Sequence, residues 1–270
     1  MLKITHYNPV TRFDLARTVA GRGRYWTAAY YVDGLLIDSG CAHTAHEFVN
    51  ALNGKPLSCI VNTHSHEDHV GANHLLQKNI HGLEIRTHPL AIPILADPRN
   101  TQPLQPYRKI MWGWPDASQT KPIQDGDVIR TAHYRFQAIY TPGHSPDHIC
   151  LYESSQGWLF TGDLYVGGKD RALRKDYEIW QIIASLKKIV TLPFNSLFPA
   201  SARIPDKPKE DMQDKIIYLE SMGEQALVLH QKGWKEKDIA KKLFGAPMPI
   251  EWITLGHFSR RHLVRSYLRL

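Results

Sequence analysis

The sequence is poor in cysteine and has no long apolar run. Its 270 residues include three cysteines, Cys41, Cys59 and Cys150, an odd number without CxxC spacing. This excludes a disulfide framework, and we expect reduced, buried thiols that pack in the core. No stretch approaches the roughly 20 apolar residues that span a bilayer, and the first residues lack the apolar segment of a signal peptide. We therefore expect a cytoplasmic protein with no membrane partner.

The chain also lacks a strong charge imbalance. Its formal net charge is +7, and the basic residues are densest in segments 171–175, 235–242 and 260–269. On helices such charges commonly form solvated faces, so a small-molecule substrate is favoured and a nucleic-acid partner is the weaker alternative. The hydrophobic content of 43% in 270 residues allows one large core with an appendage. No pattern in the sequence identifies an oligomeric interface.

The most informative motif is HSHEDH at 64–69, which follows an apolar stretch. Residues two apart on an extended segment share a face, so His64 and His66 can converge on one ion. We expect Asp68 and His69 to open the next helix and to face a second ion. Imidazole and carboxylate ligands suit zinc, with iron or manganese as alternatives. The motif predicts a site for one or two metal ions.

Two further blocks follow this motif in order: TPGHSPDH, which contains His144, and LFTGDLYVG, which contains Asp163. An earlier block, LLIDSG, has the form of a strand that ends in Asp-x-Gly. In this order the blocks resemble the metallo-β-lactamase superfamily, in its glyoxalase II-like and lactonase-like branch. The resemblance extends from about residue 25 to about residue 200. It implies an α/β fold, the αββα sandwich of that superfamily, with a C-terminal helical extension.

The resemblance also implies a set of metal ligands. The first ion would be held by the imidazoles of His64, His66 and His144. The second ion would be held by Asp68 and His69, and Asp163 would bridge the two ions. On spacing alone His148 is as good a candidate as His144, and the family pattern selects His144.

One position departs from the family pattern. A further histidine is expected after a late strand, in a turn that corresponds here to SLFPASAR, and Ser201 stands in its place. A serine hydroxyl is a poor zinc ligand, so the second ion should bind more weakly. Two alternatives stay open: the loop is misaligned, or a histidine of the tail, with His257 as the first choice, supplies the missing nitrogen.

The pattern of strands and helices is consistent with this fold class. Asp33-Gly34 predicts a tight hairpin turn, and Gly54 ends a short helix that precedes the strand leading to the metal motif. The segment 96–121 breaks the pattern with repeated prolines and an aromatic cluster that includes Tyr107 and Trp112. It forms either an apolar wall of a substrate pocket or a cover over the core.

The tail changes to helical periodicity. We divide the chain into a metallo-β-lactamase-like domain, 1–205, and a helical extension, 206–270. Three short helices with a basic last member weakly resemble a helix-turn-helix or winged-helix module, and a cap over the active-site face is the alternative. His257 lies at the start of the last helix, with Ser259 as its N-cap and with a substrate-binding role as one interpretation.

These residues predict a metal-dependent hydrolase. A metal-bound hydroxide would attack a small ester, thioester or lactone, with Asp68 as the catalytic residue that orients it and moves its proton. Tyr165 could donate a hydrogen bond to the developing oxyanion. Two alternative hypotheses are a nuclease acting on RNA or single-stranded DNA, and a metal-binding regulatory protein of low activity.

Overall fold

The computed structural model describes residues 1–102 and 104–269 and contains two main β-sheets. The first sheet keeps chain order, with antiparallel neighbours at its start and parallel neighbours after them: β1 (Leu2–Tyr7), β2 (Val10–Val19), β3 (Arg22–Val32), β4 (Leu35–Ile37), β5 (Cys59–Val61), β6 (Glu84–Thr87) and β7 (Lys121–Pro122). The second sheet consists of β8 (Val128–Arg130), β9 (Arg135–Tyr140), β10 (Ile149–Glu153), β11 (Trp158–Gly162) and β13 (Ser196–Pro199), with β13 parallel to β11. A small antiparallel pair joins β12 (Leu173–Arg174) to β14 (Phe258–Ser259).

The helices follow the strands of each sheet or form the tail. They are α1 (Ala45–Leu52), α2 (Asn73–Asn79), α3 (Ile92–Ala96), α4 (Pro98–Thr101), α5 (Pro106–Met111), α6 (Ile179–Val190), α7 (Pro208–Gln231), α8 (Glu236–Phe244), α9 (Pro249–Ile253) and α10 (Arg260–Tyr267).

These elements form four layers, and an apolar cluster lies between each layer and the next. One lies between the two sheets and contains Tyr30 of β3 and Phe160 of β11. A second joins the outer face of the first sheet to α1 and α2, for example through Phe48. The third joins the outer face of the second sheet to α6, α7, α8 and α10. Because each sheet buries both faces, the architecture is the expected αββα sandwich.

Local predictions from turn chemistry are confirmed. The backbone at Asp33 and Gly34 has φ of 49° and 83°, and Val32 pairs with Leu35 across the turn. Both central residues are therefore left-handed, as a tight type I′ hairpin requires. Gly54, with φ of 77°, follows the end of α1.

The helix expected to open at Asp68 and His69 begins later, at Asn73. The backbone of residues 64–72 is held instead by other partners, because the carbonyl of His69 accepts from the N–H of Ser39 at 2.7 Å. Gly71 lies so close to the backbone of Cys41 that a Cβ there would come within 2.5 Å of its Cα. Tertiary contacts keep the metal motif in a loop.

The C-terminal helices share the core of the second sheet. Met212 and Leu219 of α7, and Leu263 and Tyr267 of α10, are fully buried in one cluster with Leu186 of α6. Several basic side chains of this region form ion pairs, for example Arg260 with Glu251. The helices α7, α8 and α10 thus form a layer on the outer face of the second sheet.

The three cysteines are unpaired, with Cys41 and Cys150 buried and Cys59 half-buried. Among the described residues we find no helix with the length and apolarity needed to span a bilayer.

Candidate metal centre

The loops that follow several strands of the two sheets meet at one edge of the sandwich. His64 and His66 follow β5, Asp163 follows β11, and Ser201 follows β13. His144 lies in the loop after β9, where Gly143 has φ of 127° and a Cβ would come within 2.4 Å of the backbone of α6. Only glycine fits at this close approach. The motifs thus lie together because the strand ends do.

Three imidazoles converge as the first group. The Nδ1 of His66 lies 2.9 Å from the Nε2 of His64 and 3.1 Å from the Nε2 of His144. All three side chains are buried, and burial lowers their pKa values well below the ordinary range. They are therefore neutral at physiological pH, which is the form that binds a metal.

A second group forms around His69. Its Nε2 lies 3.4 Å from Oδ2 of Asp163 and 3.8 Å from Oδ2 of Asp68. The ligand atoms of His64, His69 and Asp163 all lie within 4.8 Å of one another. Asp68 stands at the margin of this group, where its Oδ2 accepts a hydrogen bond from Thr27 at 3.0 Å.

The donor set fits a divalent metal. Nε2 of His69 and Oδ1 of Asp163 are fully buried and have no hydrogen-bond partner within the part of the chain that the structure describes. An unpartnered buried polar atom costs free energy, so a ligand is the natural partner for both atoms. Imidazole nitrogens and one carboxylate are typical of a zinc, iron or manganese site.

Asp38 orients His69 from behind. Its Oδ2 lies 2.8 Å from Nδ1 of His69, and its two oxygens also accept the backbone N–H and the hydroxyl of Thr63. Burial alone would lower the pKa of His69, but three carboxylates, led by that of Asp38, raise it well above the ordinary value. A carboxylate on the outer nitrogen fixes the ring so that Nε2 faces the site.

Two further contacts hold the HSHEDH loop. The carboxylate of Asp147 accepts the backbone N–H of Ser65 at 2.7 Å, which joins this loop to the loop of His144. Glu67 forms a buried, two-point ion pair with Arg108 of α5, with 2.6 Å between Nε and Oε1. The roles of Asp147, Glu67 and Arg108 are not evident from the sequence, because their partners are distant in the chain.

Ser201 lies beside the second group, as its position in the sequence predicts. It lines the pocket described below. Burial alone would raise the pKa of Asp163, but His69 lowers it by more, and the hydroxyl of Ser201 adds to this lowering. His257 does not take the place of the missing histidine: its Nδ1 lies in hydrogen-bond contact with the hydroxyl of Tyr107, at 2.8 Å. Among the described residues, His257 belongs to neither converging group.

His148 is also outside both groups. Its Nδ1 lies 2.9 Å from the hydroxyl of Thr141, and burial lowers its pKa to about 3. The choice of His144 over His148 thus agrees with the geometry of the first group.

The oxyanion role expected of Tyr165 has no support from its position. Tyr165 is buried in the helical core and is not among the described residues that line the pocket. The pocket tyrosine beside the metal centre is Tyr177, whose hydroxyl lies 3.2 Å from Nε2 of His144.

The two groups open into a cavity of about 530 Å³. Its wall is largely apolar, and its aromatic side chains come from β3, the 96–121 segment, the segment after β12 and the tail: Tyr25, Trp26, Tyr107, Trp112, Tyr177 and Phe258. The 96–121 segment therefore supplies part of the wall. The hydrogen bond between Tyr107 and His257 joins this segment to the C-terminal extension.

Comparisons with known proteins agree with this fold. Residues 27–200 match the family model of the metallo-beta-lactamase superfamily. The atrochrysone carboxyl ACP thioesterase of Aspergillus fumigatus is 26% identical over 224 residues, which cover 81% of this chain and 63%, less than two thirds, of that protein. An uncharacterized protein of Aquifex aeolicus is 29% identical over 167 residues, 61% of this chain and 76% of its own length.

Solved structures show the same fold at low identity. A beta-lactamase domain protein from Burkholderia ambifaria has a TM-score of 0.66 at 17% identity and covers 96% of this chain and 81% of its own. A metallo-beta-lactamase from Pontibacter korlensis has a TM-score of 0.65 at 16% identity, with coverages of 82% and 99%.

Proposed function

The chain belongs to the metallo-β-lactamase superfamily, and on that premise we propose that it is a metal-dependent hydrolase of thioesters, esters or lactones with a bulky, apolar acyl group. The observation that carries this proposal is the opening of two convergent ligand groups into a largely apolar cavity with aromatic side chains in its wall. Aromatic walls bind apolar and planar groups through large contact areas. The relative named as a thioesterase supports the thioester as the first substrate to test.

We assign the first ion to His64, His66 and His144, and a second, weaker site to His69, Asp68 and Asp163. Zinc is the first choice of metal, with iron or manganese as alternatives. When bound, the metal supplies Lewis acidity and lowers the pKa of water. The carboxylates of Asp38 and Asp147 hold the HSHEDH loop and the loop of His144 in place around the metal site.

The chain's own groups then orient the reactants. Burial raises the pKa of Asp68 to about 6, and we assign to this carboxyl group the transfer of a proton to the leaving group. The hydrogen bond from Thr27 keeps this carboxylate at the pocket wall. Tyr177 carries a phenol whose pKa is raised by burial, so its hydroxyl stays protonated and can donate to an oxygen in the pocket.

The test is turnover of matched phenylacetyl substrates, a thioester, an ester and a lactone, by metal-loaded protein. We expect hydrolysis of at least one of them, lost on removal of the metal. Asp68→Ala should reduce kcat by about 10²- to 10⁴-fold, the usual contribution of a positioned acid or base. His144→Ala should lower both metal content and turnover.

His46→Ala is the matched control, because His46 is exposed and lies outside the site. Unchanged turnover in a folded Asp68→Ala variant would remove this carboxylate from the mechanism. Failure to cleave any of the three substrate types, with metal bound, would instead favour the regulatory alternative.

A further inference from the structure

One cation on the pocket wall has no part in the proposed reaction. Arg174, in β12, lines the cavity, and only 7% of its side chain is exposed. Its Nε and Nη2 donate to the carboxylate of Asp176 at 2.6 and 2.5 Å. Within residues 1–102 and 104–269, neither N–H of its Nη1 has a hydrogen-bond partner. A guanidinium that is mostly buried in the pocket wall and keeps two donors free can donate both to a ligand.

The ion pair of Arg174 is asymmetric. The side chain of Asp176 is 55% exposed, so water screens its charge, whereas the guanidinium lies inside the pocket wall. The other pocket arginine, Arg108, differs because its partner Glu67 is as buried as itself, with exposures of 6% and 1%. Arg108 is neutralised within the wall, whereas the carboxylate that pairs with Arg174 is screened by water.

The position of Arg174 defines which part of a substrate it can reach. Nη2 lies 2.9 Å from Nε2 of His66, while Nδ1 of the same ring faces His64 and His144. The guanidinium therefore lies one imidazole ring away from the metal centre. This position suits contact with a group several bonds from the reacting carbonyl. The ring of Tyr177 supports the guanidinium from one face, 4.7 Å from the centroid.

We propose that Arg174 is a specificity residue that binds a carboxylate on the acyl body of the substrate, an inference that rests on the proposed hydrolase function. The substrate class is then the thioester or ester of an aromatic acid with a second, free carboxylate. Nη1 donates to this carboxylate, and the aromatic wall takes the rest of the acyl group. A charge-assisted hydrogen bond in a low-dielectric pocket selects strongly for the anion.

The test compares thioesters of 4-carboxyphenylacetate and 4-methylphenylacetate, which differ only in carboxylate against methyl. For the wild-type protein we expect kcat/KM at least about 10-fold higher with the carboxylate. In Arg174→Gln this ratio should fall by about 10- to 100-fold, through KM, and Arg174→Lys should retain part of it. Lys175→Gln is the matched control, since it removes the same charge from an exposed neighbour, and it should retain the wild-type ratio.

A wild-type preference for the methyl substrate would overturn the proposal. An equal loss of kcat/KM with both substrates in Arg174→Gln or Arg174→Lys would also overturn it.

A binding measurement distinguishes failure of this proposal from failure of the hydrolase function. If neither thioester is cleaved, 4-carboxyphenylacetate and 4-methylphenylacetate are titrated against the fluorescence of the pocket tryptophans. Selective binding of the first acid that is lost in Arg174→Gln supports the anion site, and equal binding of both acids overturns it.

Discussion

At the scale of single residues, the metal centre depends on how each ligand is oriented and charged. Burial lowers the pKa values of His64, His66 and His144, whereas carboxylates raise the pKa of His69 against the effect of burial. Ser201 stands beside the second group with an oxygen that binds zinc poorly. The two ions should therefore differ in affinity and in response to pH.

The first prediction concerns Ser201→His. An imidazole at this position adds a nitrogen ligand next to Asp163 and should strengthen the second site by about 10- to 100-fold. We expect elemental analysis to rise from about one ion per chain to about two. Ala202→His, one residue along, is the control and should leave the ion count unchanged; a rise in both variants would show that any added histidine recruits metal.

The second prediction concerns pH. A metal must displace a proton from His69, whose pKa is raised, but not from the histidines of the first group, whose pKa values are lowered. As the pH falls from 8 to 6, the second ion should weaken by about tenfold per unit, and the first ion much less. Chelator competition at each pH measures both affinities. Equal slopes for the two ions would contradict the difference in protonation.

At the scale of secondary-structure elements, the pocket is closed by a contact between two segments. The hydroxyl of Tyr107 in α5 forms a hydrogen bond with the imidazole of His257, whose pKa burial lowers to about 4. The β12–β14 pair anchors the same part of the tail beside Arg174. The 96–121 segment and the C-terminal extension thus form one rim of the cavity.

The third prediction tests this rim. Tyr107→Phe removes the hydrogen bond and keeps the ring, so KM should rise by about 3- to 10-fold, the range expected for one such bond, while metal content stays the same. Tyr31→Phe is the control, because it removes a hydroxyl that donates to Pro56, far from the pocket. A KM unchanged by Tyr107→Phe would mean that the rim is held by packing alone.

At the scale of the whole molecule, the predicted boundary at residue 205 divides one apolar cluster. The cluster contains Leu186 of α6, Leu219 of α7 and Tyr267 of α10, all fully buried. Exposing a shared apolar face on this scale forfeits several kcal/mol, since each large buried side chain contributes about 1.5–3 kcal/mol. We propose that the extension is part of the folding unit of the domain that it covers.

The fourth prediction follows from this shared core. A chain truncated to residues 1–205 should aggregate or lose its near-ultraviolet circular dichroism, and the full chain should unfold in a single transition. Calorimetry of the full chain and circular dichroism of the truncated chain provide the measurements. A soluble truncated protein with native near-ultraviolet signals would instead establish two independent units.

The family, the αββα class and the residues that form the two ligand groups can all be recognised in the sequence. These follow from local patterns: three imidazoles in the HSHEDH motif, glycine beside His144, and the turn at Asp33-Gly34. Such patterns fix backbone conformation and donor chemistry within a few residues, so they can be recognised without a structure. The ligand roles themselves stay predictions until metal is measured.

Which side chains hold the site and line its pocket follows from tertiary contacts. Asp38 meets His69 across 31 residues, Arg108 meets Glu67 across 41, and Arg174 meets His66 across 108. Tertiary contacts also moved the helix start to Asn73 and placed Tyr177, not Tyr165, in the pocket. The physical reason is the same in each case: contacts between distant segments depend on how the layers pack, and periodicity along one segment carries no information about that packing.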